Sequence, residues 1–298
     1  MEIEIREQSE HFAAEIVDLE ADLATANAQV HKALRDALAK HGVVCIRMSR
    51  VIDRETFRSF AEAVGPIKDP VGRAKDGSMM RYDQDRQVID SGFVMTDELR
   101  EKLGELSFGG LDDRRPGLFE TFHCDDTYTE EPAAATVLLA RQLPGGGGGN
   151  TCFLDMRAAY DLLTPDVKQH LEGLRAVNAY DNEGAFPPRV PARGPNDALV
   201  EVSHPIVRTH PITGGRSLFI DLDRAKHVEG MPLVEGRALL RDLQEHAEAR
   251  APRYEHAWRD HDILVWDNAS VQHKANGDFA VGEPRRFWRH MIAGSRPF

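Results

Sequence analysis

The stretch TFHCDDTYTEEP, from Thr121 to Pro132, places a histidine, a cysteine and two aspartates at consecutive positions. It leads into AATVLLARQLP, an apolar run that is typical of a buried strand and ends at Pro144. Side chains two positions apart on an extended strand point to the same face. His123 and Asp125 are therefore predicted to reach one metal ion while Cys124 points away. The stretch alone is equally typical of a polar turn, so the metal-site prediction depends on a third ligand elsewhere.

The patterns on either side of this stretch predict many short strands and a few helices. Before it, ANAQVHKALRDALAKHG (residues 26–42) and DRETFRSFAEAVG (residues 53–65) have the spacing of amphipathic helices. After it, short apolar runs alternate with turns rich in glycine and proline, including five glycines at residues 145–149. We therefore expect a mainly β fold with helices, built as a β-sandwich or jelly roll.

The chain of 298 residues is expected to form a single domain, residues 1–298. Its N-terminal part, residues 1–118, combines helices with strands, and the motif-bearing core lies mostly within residues 119–298. Residues 181–199 contain four prolines and are predicted to form a long surface loop that closes over the site as a lid.

The composition limits the partners that the protein can have. The formal net charge of −12 argues against nucleic-acid binding, which needs a basic face. No stretch approaches the roughly 18 apolar residues of a membrane span, and the acidic N-terminus does not resemble a secretory signal. The cysteines, Cys45, Cys124 and Cys152, have neither zinc-ribbon nor disulfide spacing. We expect a cytoplasmic protein that acts on a small molecule, without nucleic-acid or membrane partners, and leave a homo-oligomer open.

The third metal ligand is predicted at His273, where ILVWDNASVQH runs from an apolar strand through a turn to the histidine. Two histidines and one carboxylate form the facial triad of non-haem iron(II) oxygenases, which leaves coordination positions open. The later segment RRFWRH begins at Arg285 and supplies guanidinium groups that can pair with a carboxylate. His123, Asp125 and His273 are therefore the predicted catalytic metal ligands.

In these segments the chain resembles the taurine dioxygenase/TfdA family of Fe(II)- and 2-oxoglutarate-dependent oxygenases. The resemblance extends from Thr121 to Pro297 and rests on FHCDDTYTEEPAAATVLLARQLPGGGGGNT, HPIVRTHPITGGRSLFI, ILVWDNASVQH and RRFWRHMIAGSRP. It implies a double-stranded β-helix (jelly-roll) core, with Fe(II) on the predicted triad and 2-oxoglutarate and O2 as co-substrates. It also implies that Thr151 helps to bind 2-oxoglutarate and that Arg286 holds its distal carboxylate. Arg285 is the alternative, because the segment between His273 and the two arginines is longer than in the family.

Three positions imply a substrate other than taurine. In taurine-using relatives an arginine four positions beyond the co-substrate arginine grips the sulfonate, and counting from Arg286 this position is His290. Those relatives also carry a His-Pro-Val-Tyr stretch, whose best match here begins at Asp69 and ends at Gly72. One cation and one aromatic ring are lost and an acid is gained, which disfavours a small sulfonate and opens volume. We expect Asp69, Gly72 and His290 to contact the substrate, an organic molecule larger than taurine. Its aliphatic C–H bond is expected to be oxidised, most simply by hydroxylation, with release of succinate and CO2.

Three other classes of protein are weighed as alternatives at this point. A metal-dependent hydrolase can use the same three ligands, but it has no use for Arg286, and the sequence offers no dedicated general base near the triad. A non-catalytic jelly-roll binding protein does not need an intact triad. A halogenase of the same class would lack the carboxylate that Asp125 supplies.

Overall fold

The computed structural model describes residues 4–9, 11–17, 28–48, 50–68, 71–73, 79–81, 89–97, 121–179 and 201–298. The predicted lid, residues 181–199, and Asp69 lie outside these residues. The described helices are α1 (Ala28–His41), α2 (Arg54–Val64), α3 (Met156–Asp161), α4 (Pro165–Leu171) and α5 (Leu233–Arg250). None of them is long and apolar enough to cross a membrane.

The described strands alternate with these helices along the chain. They are β1 (Glu4–Ser9), β2 (Phe12–Val17), β3 (Val43–Ile46), β4 (Val71–Arg73), β5 (Met79–Arg81), β6 (Ile89–Val94), β7 (Ala135–Gln142), β8 (Thr151–Asp155), β9 (Arg175–Ala179), β10 (Glu201–Pro205), β11 (Val207–Thr209), β12 (Arg216–Leu218), β13 (Ala225–Val228), β14 (Arg253–His256), β15 (Ile263–Asp267), β16 (Val271–Ala275) and β17 (Pro284–Ile292).

One large sheet of seven strands has the order β1-β2-β3-β15-β7-β17-β6. Its neighbouring strands are antiparallel except for β2 and β3, which are parallel. The strands β1, β2, β3 and β6 come from the N-terminal part of the chain, and two of them pair with strands that follow the His-Cys-Asp stretch, β3 with β15 and β6 with β17. The N-terminal part and the motif-bearing part therefore contribute to the same sheet.

Alternating side chains give this sheet two different faces. On β15, Ile263 and Val265 join the outer core under α1 and α2, whereas Leu264 and Trp266 join the inner core. Both sets are buried, so the strand has a continuous apolar sequence instead of a clean alternation. We call the side that faces α1 and α2 the outer face, and the opposite side the inner face.

The two helices on the outer face begin and end where the sequence patterns predicted. The side chain of Asp53 caps α2 by accepting a hydrogen bond from the Thr56 backbone N–H at 2.8 Å. Gly42 follows α1 with a φ of +72°, a conformation that glycine adopts without strain. Its carbonyl oxygen accepts a hydrogen bond from Asp267, which connects the end of α1 to the end of β15.

A second layer covers the inner face. The strands β14, β8 and β16 form a three-stranded sheet, from which Phe153 and Val271 pack against Leu264 and Phe287 of the large sheet. The far side of this smaller sheet, including Leu154, packs against α3, α4 and α5. Two sheets therefore face each other across an apolar core, with helices outside, which confirms the predicted mainly β, jelly-roll fold.

Candidate metal and co-substrate site

The two histidines of the predicted triad lie opposite each other. His123 forms an isolated antiparallel bridge with His273 on β16, and they exchange two backbone hydrogen bonds of 3.0 Å. Their ring centroids are 4.3 Å apart. The chain turns immediately afterwards, with Asp126 at a φ of +60°. Instead of the predicted strand, the stretch forms a single β-bridge at His123, followed by a turn. Asp125 approaches from that turn, and the donor atoms of the three residues lie within 4.8 Å of one another.

A hydrogen bond sets the tautomer of His123. Its Nδ1 atom lies 3.0 Å from the carbonyl oxygen of Thr121. Because a carbonyl oxygen can only accept, Nδ1 carries the proton and the lone pair of Nε2 is free for a metal.

A chain of side-chain hydrogen bonds orients Asp125. The Thr136 hydroxyl, on the inner face of β7, donates to Oδ2 of Asp125 at 2.6 Å. That hydroxyl accepts from the Asn268 amide at 3.1 Å, and Trp266 Nε1 donates to Asn268 Oδ1 at 3.0 Å. The Trp266 ring also packs on His273, with centroids 4.6 Å apart. Thr136, Asn268 and Trp266 therefore position two of the three predicted ligands, a role that was not predicted from the sequence.

The local electrostatics favour the protonation states that metal binding needs. Burial, followed by the neighbouring His123, lowers the pKa of His273 to about 3, so its imidazole is neutral at physiological pH. Burial raises the pKa of Asp125, but the two imidazoles when protonated, the Arg289 guanidinium and the hydrogen bond from Thr136 together outweigh it, and the pKa lies below its ordinary value. A neutral imidazole and an ionised carboxylate are ready to bind a cation without first releasing protons. Two imidazoles and one carboxylate are the donor set of the Fe(II) facial triad, so the residues present fit that metal.

Arg285 and Thr151 form a buried pair at the start of β8. Arg285 Nη2 donates to Thr151 Oγ1 at 2.9 Å, and its Nε donates to the Gly149 carbonyl oxygen at 2.7 Å. Gly149 has a φ of +69°, and a Cβ atom there would lie 3.1 Å from Arg285 Cδ. The glycine run is thus a turn that passes closely against the arginine. Burial lowers the pKa of Arg285 to about 10, with Asp278 opposing, so the guanidinium is still charged at neutral pH.

The structure does not place the Arg286 side chain beside Thr151. Successive side chains of a strand point to opposite faces, and Arg286 lies on the outer side of β17, exposed to solvent. Arg285, the alternative that the sequence left open, is 6% exposed and contacts Thr151. The choice of Arg286 for the co-substrate is corrected accordingly.

The same one-residue correction applies four positions further along β17. His290 is buried on the outer face, where its ring stacks on Phe57 of α2 with centroids 5.1 Å apart. The structure therefore does not place His290 with the triad. Counted from Arg285, the corresponding residue is Arg289, which lies on the inner face and acts electrostatically on Asp125.

Arg289 is a candidate site residue that was not among the site residues predicted from the sequence. It is partly buried, and its Nε atom is buried without a hydrogen-bond partner in the structure. Its even spacing from Arg285 was the available signal, because residues four apart on a strand share a face.

The other two predicted substrate residues stay predictions. Asp69 lies outside the described residues. Gly72 is in β4, opposite Met80 of β5, in a separate two-stranded sheet.

A second group of potential ligands, Cys45, His256 and Asp262, is buried elsewhere in the fold. Asp262 already pairs with Arg47 at 2.8 Å and accepts a hydrogen bond from the Arg259 backbone at 2.9 Å. A metal ion would compete with the Arg47 guanidinium for this carboxylate. We interpret the group as a polar network that joins β3 to β14 and β15.

Comparison with known proteins identifies the relatives of this chain. The family model described as "Taurine catabolism dioxygenase TauD, TfdA family" matches residues 4–291. The alpha-ketoglutarate-dependent 2,4-dichlorophenoxyacetate dioxygenase of Cupriavidus pinatubonensis is 31% identical over 268 residues, 88% of each chain. The (S)-phenoxypropionate/alpha-ketoglutarate-dioxygenase of Sphingobium herbicidovorans is 34% identical over 82% of this chain and 79% of its own.

Solved structures have the same fold. The crystal structure of AAD-2 in complex with Mn(II) and N-oxalylglycine superposes with a TM-score of 0.77 at 27% identity, and the match covers 100% of this chain and 99% of that one. N-oxalylglycine is an analogue of 2-oxoglutarate, which is another name for alpha-ketoglutarate.

Proposed function

Because the chain belongs to the TauD/TfdA family of Fe(II)- and 2-oxoglutarate-dependent dioxygenases, we propose that it hydroxylates an aliphatic C–H bond of an organic anion larger than taurine. The family assignment confirms the prediction of a dioxygenase that uses Fe(II), 2-oxoglutarate and O2, over a hydrolase or a non-catalytic binding protein. What we propose beyond the family is the set of residues that perform each role and the class of substrate.

In this proposal His123, Asp125 and His273 hold the iron. Bound iron supplies the redox chemistry that couples decarboxylation of 2-oxoglutarate to removal of a substrate hydrogen. The three residues contribute fixed donor atoms, and the hydrogen bond from Thr136 keeps the carboxylate of Asp125 directed toward the histidines. Such outer hydrogen bonds commonly decide how well a ligand set binds its metal.

Arg285 and Thr151 are proposed to bind the distal carboxylate of 2-oxoglutarate. A buried carboxylate needs a partner that stays charged, and Arg285 keeps its charge at neutral pH although burial lowers its pKa to about 10. The bonds from Arg285 to Gly149 and Thr151 hold the guanidinium in one orientation before the co-substrate arrives. This preorganisation reduces the entropic cost of binding.

The observation that carries the substrate proposal is Arg289. Its guanidinium lies on the same inner face as Arg285 and acts electrostatically on Asp125, and its Nε atom is buried without a hydrogen-bond partner in the structure. An unpaired buried donor that is charged has a large desolvation cost, which an anionic group of the substrate would relieve. We therefore assign Arg289 to the substrate carboxylate or sulfate.

The relatives indicate the size of this anion. Two of them are named for 2,4-dichlorophenoxyacetate and (S)-phenoxypropionate, both of which join an aromatic ring to a carboxylate through an ether oxygen. We propose an ether-linked carboxylate of this class. Hydroxylation at the carbon between the ether oxygen and the carboxylate would give a hemiacetal or hemiketal. Its bond to the aryl oxygen breaks, which releases the free phenol and leaves the remaining carbons as a 2-oxo acid.

The test is succinate release with Fe(II), 2-oxoglutarate and a matched panel of phenoxyacetate, 2-phenoxypropionate, phenoxyacetamide and taurine. We expect the two carboxylates to stimulate succinate release with stoichiometric phenol, and the neutral amide to be far weaker. Arg289→Gln should raise KM for the carboxylates and leave the co-substrate KM unchanged. Efficient taurine turnover with sulfite release, or equal turnover of acid and amide, would overturn the substrate proposal.

A further inference from the structure

A cavity of about 310 Å³ lies between the end of α1, the start of β7, the β11–β12 hairpin and the C-terminal segment. Its apolar wall includes Leu38, Val64 and Ile292, and Arg35 and Ile212 also line it. The residues that line it do not include the metal triad, Arg285 or Arg289, so it is separate from the candidate active site. Its volume is at the lower end of the range for small-molecule pockets.

Arg208 is a cationic side chain buried in the wall of this cavity. It is 1% exposed, and its Nε and Nη1 atoms are buried without hydrogen-bond partners in the structure. The guanidinium carbon lies 4.9 Å from the centre of the Phe219 ring. An aromatic ring does not supply the in-plane oxygen acceptors that a guanidinium prefers, so the Nε and Nη1 groups still need acceptors.

Asp267, an acidic residue that also faces this cavity, does not supply acceptors to Arg208. Its Oδ2 atom accepts from His210 Nε2 at 2.8 Å and from the Ser270 hydroxyl at 2.6 Å. Its Oδ1 atom accepts from the Ala269 backbone N–H at 2.8 Å. No salt bridge joins Asp267 to Arg208 within the part of the chain that the structure describes. Burial lowers the pKa of Arg208. The electrostatic effects of Asp267 and Cys124 act in the opposite direction but do not outweigh burial.

We propose that this cavity is a binding site for a small organic monocarboxylate, whose charged end meets Arg208 and whose hydrocarbon chain packs against Leu38, Val64 and Ile292. A carboxylate supplies in-plane acceptors to a guanidinium and also neutralises its buried charge. The mostly apolar wall favours a ligand with one charge and an aliphatic chain over a polyanion. The site does not depend on the proposed function, because none of its residues is assigned to metal, co-substrate or substrate.

Butyrate and butyramide are the probes, because they have nearly the same shape and differ in charge. The thermal unfolding midpoint of the full chain is measured against each ligand at constant ionic strength. Mn(II) and N-oxalylglycine are present in excess to occupy the co-substrate site. We expect a saturable rise with butyrate and none with butyramide. Arg208→Met should weaken the butyrate affinity at least about tenfold. Hydrogen bonds to charged groups contribute about 1.5–3 kcal/mol, and about 1.4 kcal/mol already corresponds to a tenfold change in affinity.

A second variant keeps the proposal testable if Arg208→Met does not fold. Ala39, which also lines the cavity, sits on α1, and Ala39→Leu narrows the cavity while keeping the helix. It should weaken butyrate binding, whereas Ala249→Leu, at an exposed position of α5, should not. Crystals soaked in 4-bromobutyrate should show the bromine signal in the cavity. Equal effects of butyrate and butyramide, unchanged affinity in both cavity variants, or bromine elsewhere with none in the cavity would each overturn the proposal.

Discussion

Strand β17 presents Arg285 and Arg289 to the inner face of the large sheet, and Arg286 and His290 to the outer face. Arg285 is buried against Thr151 and Arg289 acts electrostatically on Asp125, whereas Arg286 is exposed and His290 stacks on Phe57 of α2. Both faces carry basic side chains at the same four-residue spacing. The side chains therefore acquire their roles from the face on which they lie, and not from their type.

This comparison shows how sensitive a strand is to its register. A shift of one residue exchanges every inner side chain for an outer one. The identification of Arg286 and His290 from the sequence was displaced by one residue, so both lie on the outer face. The proposed assignment keeps the four-residue spacing between the two positions and moves both roles together to Arg285 and Arg289.

The largest effect on turnover is expected for a variant of a proposed metal ligand. His273→Ala should abolish turnover and remove the metal, because it deletes one of three ligands. Iron content, succinate release and circular dichroism of the purified variant check this result. The matched control is the outer-face histidine variant His290→Leu, which should retain iron and activity. Near-normal iron content in His273→Ala would contradict the triad assignment.

The two adjacent arginines test the register directly. Arg285→Ala should raise the co-substrate KM, because truncating one partner of a buried charged pair costs about 2–5 kcal/mol. This corresponds to about 30-fold or more. Arg286→Ala, one residue away on the exposed face, should change the same KM by less than about twofold. If Arg286→Ala shows the large effect and Arg285→Ala does not, the inner face is misassigned.

A smaller effect is expected for the residue that orients Asp125 from β7. Thr136→Val preserves the shape of the side chain and removes the hydroxyl that donates to Asp125. Loss of such an outer hydrogen bond should weaken metal affinity by about 10–100-fold. Titration of the metal-free protein with Co(II), followed by its absorption, measures this directly. Unchanged affinity would mean that the hydrogen bond does not contribute to metal binding.

The smallest effect concerns the outer face and appears as a pH dependence of stability. Burial, followed by Arg58, lowers the pKa of His290 to about 4, although Glu62 opposes this. At pH values between about 4 and the unfolded pKa near 6.5, this histidine is protonated in the unfolded chain but not in the folded one. The folded state therefore loses stability as the pH falls through this range.

His290→Leu removes this contribution. The fall in unfolding free energy between pH 7 and pH 5 should become smaller by up to about 2 kcal/mol, as urea unfolding at both pH values would show. The KM values for the substrate and the co-substrate should not change. A substrate KM that rises as much as in Arg289→Gln would place His290 in the site after all.

The amino-acid sequence alone predicted the kind of site. The His-Cys-Asp stretch, the later His273 and the arginines of the last strand are the residue types that an iron and 2-oxoglutarate site needs, because metal and carboxylate ligands are limited to a few residue types. The helix signals of residues 26–42 and 53–65 were also local, since capping and amphipathic spacing depend on near neighbours.

Only the tertiary structure decided which residues of β17 face inward. Both faces of this strand are largely covered, one by the second sheet and one by α2, so apolar and basic residues occur on both and the sequence shows no polar side from which to read the register. Thr136, Asn268 and Trp266 escaped the sequence analysis for a related reason. They reach Asp125 from strands that are distant along the chain, and their role exists only where those strands meet.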